Sequence, residues 1–466
     1  MVSILGANSV SGDYEVSNSL RFDDGSGAYV SRTQTAGNRR TFTWSAWVKR
    51  GVVGTRQTLL SAGIDGNDES FLRFDASDYI SFKESTGNSP EFLLDTTPVF
   101  RDPAAWYHIV YAIDTTQGTD SNRVKLYVNG SQITSFQNTN YPSQNYDTRF
   151  NNNSQVLYLG MNVPDYRDYY DGYMTEVNYI DGSAKSPTDF GEYDDNGVWV
   201  PKKYSGSYGT NGFFLEFQQT GTSQNSSGIG ADTSGNDNHL AVTNLAGTDV
   251  TTDTCTNNYC TLNSIRGPVG SNSSNVPLFE GNLKASHTDN AYKQCEGTIF
   301  PTAGKWYWET LIVSDGTDAG AIGIVTSGQP TGAYPGTTIN GYGYDSYGSG
   351  SKIHNNSRDN SYGASYTVDD IMGTALDLDN GTLTFYKNNS SQGQAYSGIT
   401  SSLGWSYGHG SYYATNTIIV NFGQEGSFAG QKTAQGNSDA NGYGDFYYSP
   451  PSGHYALNTK NLAEFG

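Results

Sequence analysis

The chain reads as short extended segments joined by tight turns. Apolar residues recur at every second position over runs of four to eight, turn residues interrupt them every ten residues or so, and no 3.6-residue period is sustained. In "RRTFTWSAWVKRG", Phe42, Trp44, Ala46 and Val48 share one face; in "AGKWYWETLIV", Trp306, Trp308 and Thr310 do. Each predicts a strand buried against a second sheet. Two Asn-Gly pairs predict hairpins, because a type I′ turn needs positive φ at both central residues, which Asn tolerates and Gly adopts freely. Asn129-Gly130, in "NRVKLYVNGSQITSF", pairs Leu126 with Ile133 on one face and Tyr127 with Gln132 on the other. Asn380-Gly381, in "DDIMGTALDLDNGTLTFYKNN", sets Leu378 opposite Leu383 and Leu376 opposite Phe385, leaving Asp377 and Asp379 on the wet face opposite Thr384 and Thr382. Asp377-x-Asp379-x-Gly381 is similar to the start of a calcium loop, but it lacks the position-12 glutamate and flanking helices, so it reads as scaffold.

These patterns predict an all-β chain of two antiparallel sandwiches in tandem with little helix. The expected divisions are an arm over 1–17, a sandwich over 18–205, a connector over 206–275, a second sandwich over 276–425 and a closing segment over 426–466. The connector is dominated by Gly, Ser, Thr and Asn, with only "GFFLEFQQ" and "NHLAVTNL" reading as strands.

Composition agrees. The 466 residues include 56 Gly and 35 Tyr, are 13% aromatic and only 15% charged, and are enough for two or three domains. A formal net charge of −20 with no basic patch opposes phosphate backbones and anionic lipid, so neither nucleic-acid binding nor membrane insertion is expected. The opening "MVSILGANSVSGDYEVSN" has a four-residue apolar run and no basic start, which predicts neither a signal peptide nor a membrane span. Three cysteines, Cys255, Cys260 and Cys295, form no disulfide framework, and Cys255-x4-Cys260 lacks a histidine pair for zinc.

The segments "NSLRFDDGSGAYVSRT", "AAWYHIVYAIDT", "RVKLYVNGSQI", "QVLYLGMNV" and "YYDGYMTEVNYIDG" resemble successive strands of a laminin G-like (concanavalin A-like lectin/glucanase) jelly roll. "GKWYWETLI", "AIGIV", "GYGYDSYG", "DIMGTALDLDNGTLTFYKNN" and "ATNTIIVNFG" resemble a SPRY domain. The tandem order is similar to structural proteins of tailed bacteriophages, especially marine ones such as those of cyanobacteria. That resemblance implies a virion protein assembled in the bacterial cytoplasm, either a tail-fibre-like adhesin contacting host-surface polysaccharide or protein, or a capsid decoration protein. Its partners would be other virion proteins, and phage appendages are commonly homo-oligomers.

A jelly roll of this class is a lectin or a hydrolase. The hydrolase needs two carboxylates on one cleft, in related glucanases spaced Glu-x-Asp-x-x-Glu on one strand, and the chain has no such run. The laminin G-like resemblance implies a scaffold position for Glu176. "GWSYG", Gly404 to Gly408, matches a serine-hydrolase elbow, but no helix is predicted to follow it. No catalytic residue is assigned and a non-enzymatic binder is expected, a depolymerase being the third alternative. Aromatic rings in polar loops suit either sugar stacking or protein contacts, which nominates Tyr166, Tyr169, Tyr170, Tyr344, Tyr347, Trp405 and Tyr407. No cofactor is required. The laminin G-like resemblance allows one Ca²⁺ at the sandwich rim, with oxygen donors from Asp65, Asn67 and Asp68 or from Asp232 and Asp237; solvated Asx turns are the alternative for both loops.

Overall fold

A computed structural model of the chain describes residues 14–165, 167–265, 276–316, 319–330, 332–400 and 402–466. Its chain divides into two compact units, whose described parts are residues 14–256 and 257–466. The fold is all-β, and the one α-helix among the described residues is Thr459–Phe465.

The first unit is a sandwich of two 8-stranded sheets. One runs in the order Ser131–Gln132, Val124–Val128, Trp106–Asp114, Thr41–Arg50, Gly172–Asp181, Ser19–Phe22, Val250–Thr251, with Phe213–Leu215 also on Gly172–Asp181. The other runs Phe136–Asn140, Ser89–Val99, Tyr79–Thr86, Asp68–Phe74, Gln57–Asp65, Val156–Leu159, Tyr29–Thr33, Ala241–Thr243. Phe42, Trp44, Ala46 and Val48 point into the core between them, beside Leu60, Leu72 and Phe82. The opposite face of Thr41–Arg50 is buried as well. Trp47 lies there with Trp106, Tyr173, Trp199 and Val16, and Lys49 forms a fully buried ion pair with Asp253 (2.8 Å).

The expected connector is thus largely part of the first sandwich. Residues 206–256 supply three of its strands and the counter-ion of Lys49. Apolar residues of this Gly- and Asn-rich stretch, among them Phe213, Leu215, Phe217, Ile229 and Leu240, are buried in the core, and sparse anchors suffice when the backbone pairs with existing strands. Residues 257–265 belong to the second unit, where Tyr259, Cys260 and Leu262 are buried, while 266–275 lie outside the described residues. So does most of the expected arm; of its last residues, Val16 packs in the cluster just described.

The second unit pairs an 8-stranded sheet (Leu278–Phe279, Lys284–Ser286, Thr417–Asn421, Lys305–Ser314, Ile371–Asp377, Thr382–Lys387, Ser390–Tyr396, with Tyr455–Ala456 on Lys305–Ser314) with a 6-stranded one (Lys293–Glu296, Ser406–Ser411, Ala321–Val325, Gly341–Asp345, Ser351–His354, Ser357–Asp359). Trp306, Trp308, Leu376, Leu383 and Phe385 fill the space between. The outer face of the larger sheet is covered by the closing segment: Phe446 and Ala456 meet Tyr259, Tyr307 and Ala375, and Phe428 meets Leu311, Ile371 and Ile419.

The two Asn-Gly hairpins differ. At Asn129-Gly130 the two-residue loop is present: Tyr127 pairs with Gln132, and both turn residues have positive φ (48° and 78°). At Asn380-Gly381 the register is displaced by two residues, with Leu376 opposite Leu383 and Asp377 opposite Thr382. The loop is four residues long and only Gly381 takes positive φ (62°). A shift of two keeps every side chain on its expected face. It alters the acids: Asp377 is not wet but clamps the turn, accepting from the Asn380 N–H (2.9 Å) and pairing with Lys305 (2.9 Å), while Asp379 accepts from the Gly304 N–H (2.9 Å).

Candidate functional site

The sequence-nominated aromatic residues separate by burial. Tyr170, Tyr344, Trp405 and Tyr407 are core residues, between 0% and 2% exposed, and cannot stack on a ligand. The Tyr170 hydroxyl donates to the Lys49 carbonyl (2.7 Å), and Tyr407 packs on Trp308 and Phe422. Tyr169 is half-buried, stacked on Tyr29 with its ring against Gly27. Tyr166 lies outside the described residues. Tyr347 is 61% exposed.

The nominated calcium loops are held together by their own hydrogen bonds. Asp65 accepts from the N–H groups of Asn67 and Asp68 (2.9 and 3.0 Å), an Asx turn, and Asp68 pairs with Arg149. Asp232 accepts from three backbone N–H groups, of Phe214, Ser234 and Asn238, and Asp237 projects outward near His239. Neither loop gathers its carboxylates. A different trio does: oxygens of Asp23, Asp24 and Asp171 lie within 4.8 Å of one another. Antiparallel pairing of Ser19–Phe22 with Gly172–Asp181 sets Phe22 opposite Gly172, which brings the turn after the one strand beside the residue before the other. Gly51 makes room for Asp171, since a Cβ there would meet its Oδ1 at 1.8 Å. Burial and the charge of Asp23 hold the Asp24 carboxyl above the usual carboxylate range, the electrostatic pattern a bound cation relieves. Hard oxygen donors at this spacing fit Ca²⁺. The sequence signal was available in two Asp-Gly turns, "DDG" and "YDG", but nothing local says that they meet.

At one end of the second unit an open cleft of about 310 Å³ is lined by Tyr292, Tyr334, Tyr347, Tyr412 and Tyr413 around Asp345 and Arg358. Asp345 ends strand Gly341–Asp345 and Tyr347 follows it, Arg358 lies on Ser357–Asp359, Tyr412 and Tyr413 follow Ser406–Ser411, Tyr292 precedes Lys293–Glu296, and Tyr334 comes from the loop after Ala321–Val325. Arg358 is ion-paired with Asp345 and lies 5.4 Å from the Tyr347 ring centre. Asp345 also accepts from the Tyr347 N–H (3.0 Å). Tyr292 stands 5.0 Å from Tyr412 and 5.6 Å from Tyr334, ring to ring. Tyr292 and Tyr412 are 51% and 40% exposed, so both rings are accessible from solvent. Of the nominated residues only Tyr347 belongs to this cleft.

Several carboxylates and a histidine with shifted protonation lie in the interior. Burial pushes Glu84 and Glu309 up to about 7. Glu176, turned inward at a bulge with φ of 51°, is pushed up to about 8 by burial and by Glu216, and accepts from the Tyr14 hydroxyl (3.0 Å). His108 sits between Ser45 and Trp199: the Trp199 indole N–H donates to Nδ1 (2.9 Å), which leaves Nε2 to carry the proton toward Ser45 (2.9 Å). That tautomer cannot act as a base toward the serine. The "GWSYG" serine, Ser406, lies in a regular buried strand, not in a strand-to-helix turn. Neither of the two clefts described, the tyrosine cleft and one of about 300 Å³ lined by Asp114, Lys125, Tyr127 and Lys185 in the first unit, presents a pair of carboxylates.

Residues 24–189 match the family model of the concanavalin A-like lectin/glucanases superfamily, and residues 305–425 match that of the SPRY domain. The chain therefore carries these two domains in tandem. Among solved structures it is similar to the SPRY domain of human HERC1 (17% identity over 30% of this chain and 87% of that one, TM-score 0.27). It is also similar to a SAP-like pentraxin from Limulus polyphemus (12%, 37% and 80%, TM-score 0.29). A third is a Bacteroides ovatus protein to which carbohydrate binding has been attributed (15%, 50% and 59%, TM-score 0.33).

Proposed function

We propose that the chain is a non-enzymatic binding protein of a bacteriophage particle, an adhesive appendage that contacts host-surface glycans through its lectin-like sandwiches. The observation that carries the glycan reading is the tyrosine cleft, where exposed aromatic faces stand beside a fixed donor–acceptor pair, Arg358 and Asp345. Aromatic rings cover the apolar face of a pyranose while paired polar groups bind its hydroxyls. The virion assignment rests on the likeness of the tandem order to tailed-phage structural proteins, with other virion proteins and further copies of the chain as its partners. The Asp23, Asp24 and Asp171 cluster holds Ca²⁺ at the rim of the first sandwich, tying two strand ends together.

Glycan-array binding by the full chain, together with competition of phage adsorption by the purified protein, tests the reading. Binding to host polysaccharide and reduced adsorption are expected. Saturable binding to capsid or tail proteins with no sugar bound would replace the adhesin by a capsid decoration protein. Release of reducing sugar from host polysaccharide would make it a depolymerase.

A further inference from the structure

Taking the glycan-contacting reading of the tyrosine cleft as its basis, we infer that the cleft's ligand is an uncharged sugar of one or two pyranose rings, and that the Arg358–Asp345 pair excludes acidic polysaccharide. Among the described residues, Asp345 and Arg358 are the only charged side chains lining the cleft, and each answers the other's charge. The Asp345 side chain is 8% exposed and that of Arg358 27%, so the pair is presented at the cleft floor with its geometry set. The Tyr347 N–H fixes the carboxylate from one side, and the Tyr347 ring fixes the guanidinium from another.

A sugar carboxylate or sulfate reaching for Arg358 has to displace Asp345 or lie against it. Screening by salt is weak at such a partly buried site, and like charges there oppose each other strongly. The net charge of −20 adds to the opposition at long range. Vicinal hydroxyls meet no such barrier. A guanidinium carries five N–H donors, more than one carboxylate occupies, and a carboxylate has lone pairs to spare, so a hydroxyl can accept from Arg358 while its neighbour donates to Asp345. The exposed faces of Tyr292, Tyr347 and Tyr412 supply the apolar contact. A volume of about 310 Å³ stands at the small end of ligand pockets, which suits one or two rings instead of a long segment of polymer.

Calorimetric titration of the full chain tests this, using cellobiose, lactose and chitobiose against digalacturonate and sulfated lactose. At least one neutral disaccharide should bind at least tenfold more tightly than either acidic one. Tyr347→Ala or Tyr412→Ala, both at exposed rings that leave the fold intact, should weaken it tenfold or more. Acidic disaccharides bound as tightly as neutral ones, and lost in the same variants, would overturn the exclusion while leaving the glycan reading in place. Sugar binding untouched by both tyrosine variants would place the ligand elsewhere and overturn the site. No binding of any of the five sugars would overturn this inference and the glycan reading together.

Discussion

Glu309 ties the closing segment to the second sandwich, and Glu309→Ala should undo that tie. Its carboxylate, 0% exposed, accepts from the N–H groups of Tyr448 and Tyr447 (2.8 Å each). The Tyr307 hydroxyl (3.2 Å) and the Asn421 amide (3.5 Å) complete the set. Removing the acceptor strands two backbone donors under the segment, at about 1–3 kcal/mol each, so a loss of roughly 2–6 kcal/mol is expected at pH 5. The pH dependence has a definite sign. Burial raises the folded-state value to about 7, above that of the unfolded chain. The stability that the neutral form contributes is therefore complete below the ordinary carboxylate range and declines as pH rises through about 7. The wild-type chain should lose stability from pH 5 to pH 8, and the gap to the alanine variant should narrow. Denaturant unfolding of the full chain at both pH values measures this, and hydrogen exchange at the Tyr447 and Tyr448 amides locates it. A change under about 0.5 kcal/mol with both amides still protected would refute the tie. A gap that widens toward pH 8 would show that the four donors, not burial, set the charge of Glu309.

Two further outcomes follow from the first unit. Calcium at one hundred times its dissociation constant should stabilise that unit by about 2.7 kcal/mol, seen as a raised melting temperature that Asp171→Asn abolishes; an unchanged melting temperature in the wild type would count against a cation at this cluster. Gly130→Ala should cost about 2–4 kcal/mol, because φ is 78° and the new methyl would meet the Trp199 ring at 2.5 Å; an unfolding midpoint within error of wild type would show that the hairpin can relax away from Trp199.

The alternation of apolar and polar residues determined that the chain is two stacked pairs of sheets. It placed Phe42, Trp44, Trp306 and Trp308 in the cores, because side chains on a strand point alternately to its two faces wherever the strand ends up. Asn129-Gly130 fixed its own turn for an equally local reason. At Asn380-Gly381 the loop is four residues long, closed by the local Asp377–Asn380 clamp and by the pair with Lys305, and Lys305 comes from a strand far away in sequence. Burial of the second face of the central strands, and the absorption of residues 206–256, depended on chain that returns from far along the sequence to cover a sheet. Tyrosine content announced aromatic surfaces without saying which rings face water. Tyr170 and Tyr407 look like Tyr347 in sequence, yet the sheets close over the first two and leave the third at a strand end. Asp23, Asp24 and Asp171 are ordinary turn residues until antiparallel pairing brings two distant strand ends together, and Tyr292, Tyr347, Arg358 and Tyr412 form one cleft only because strands far apart in sequence end at the same edge of the fold.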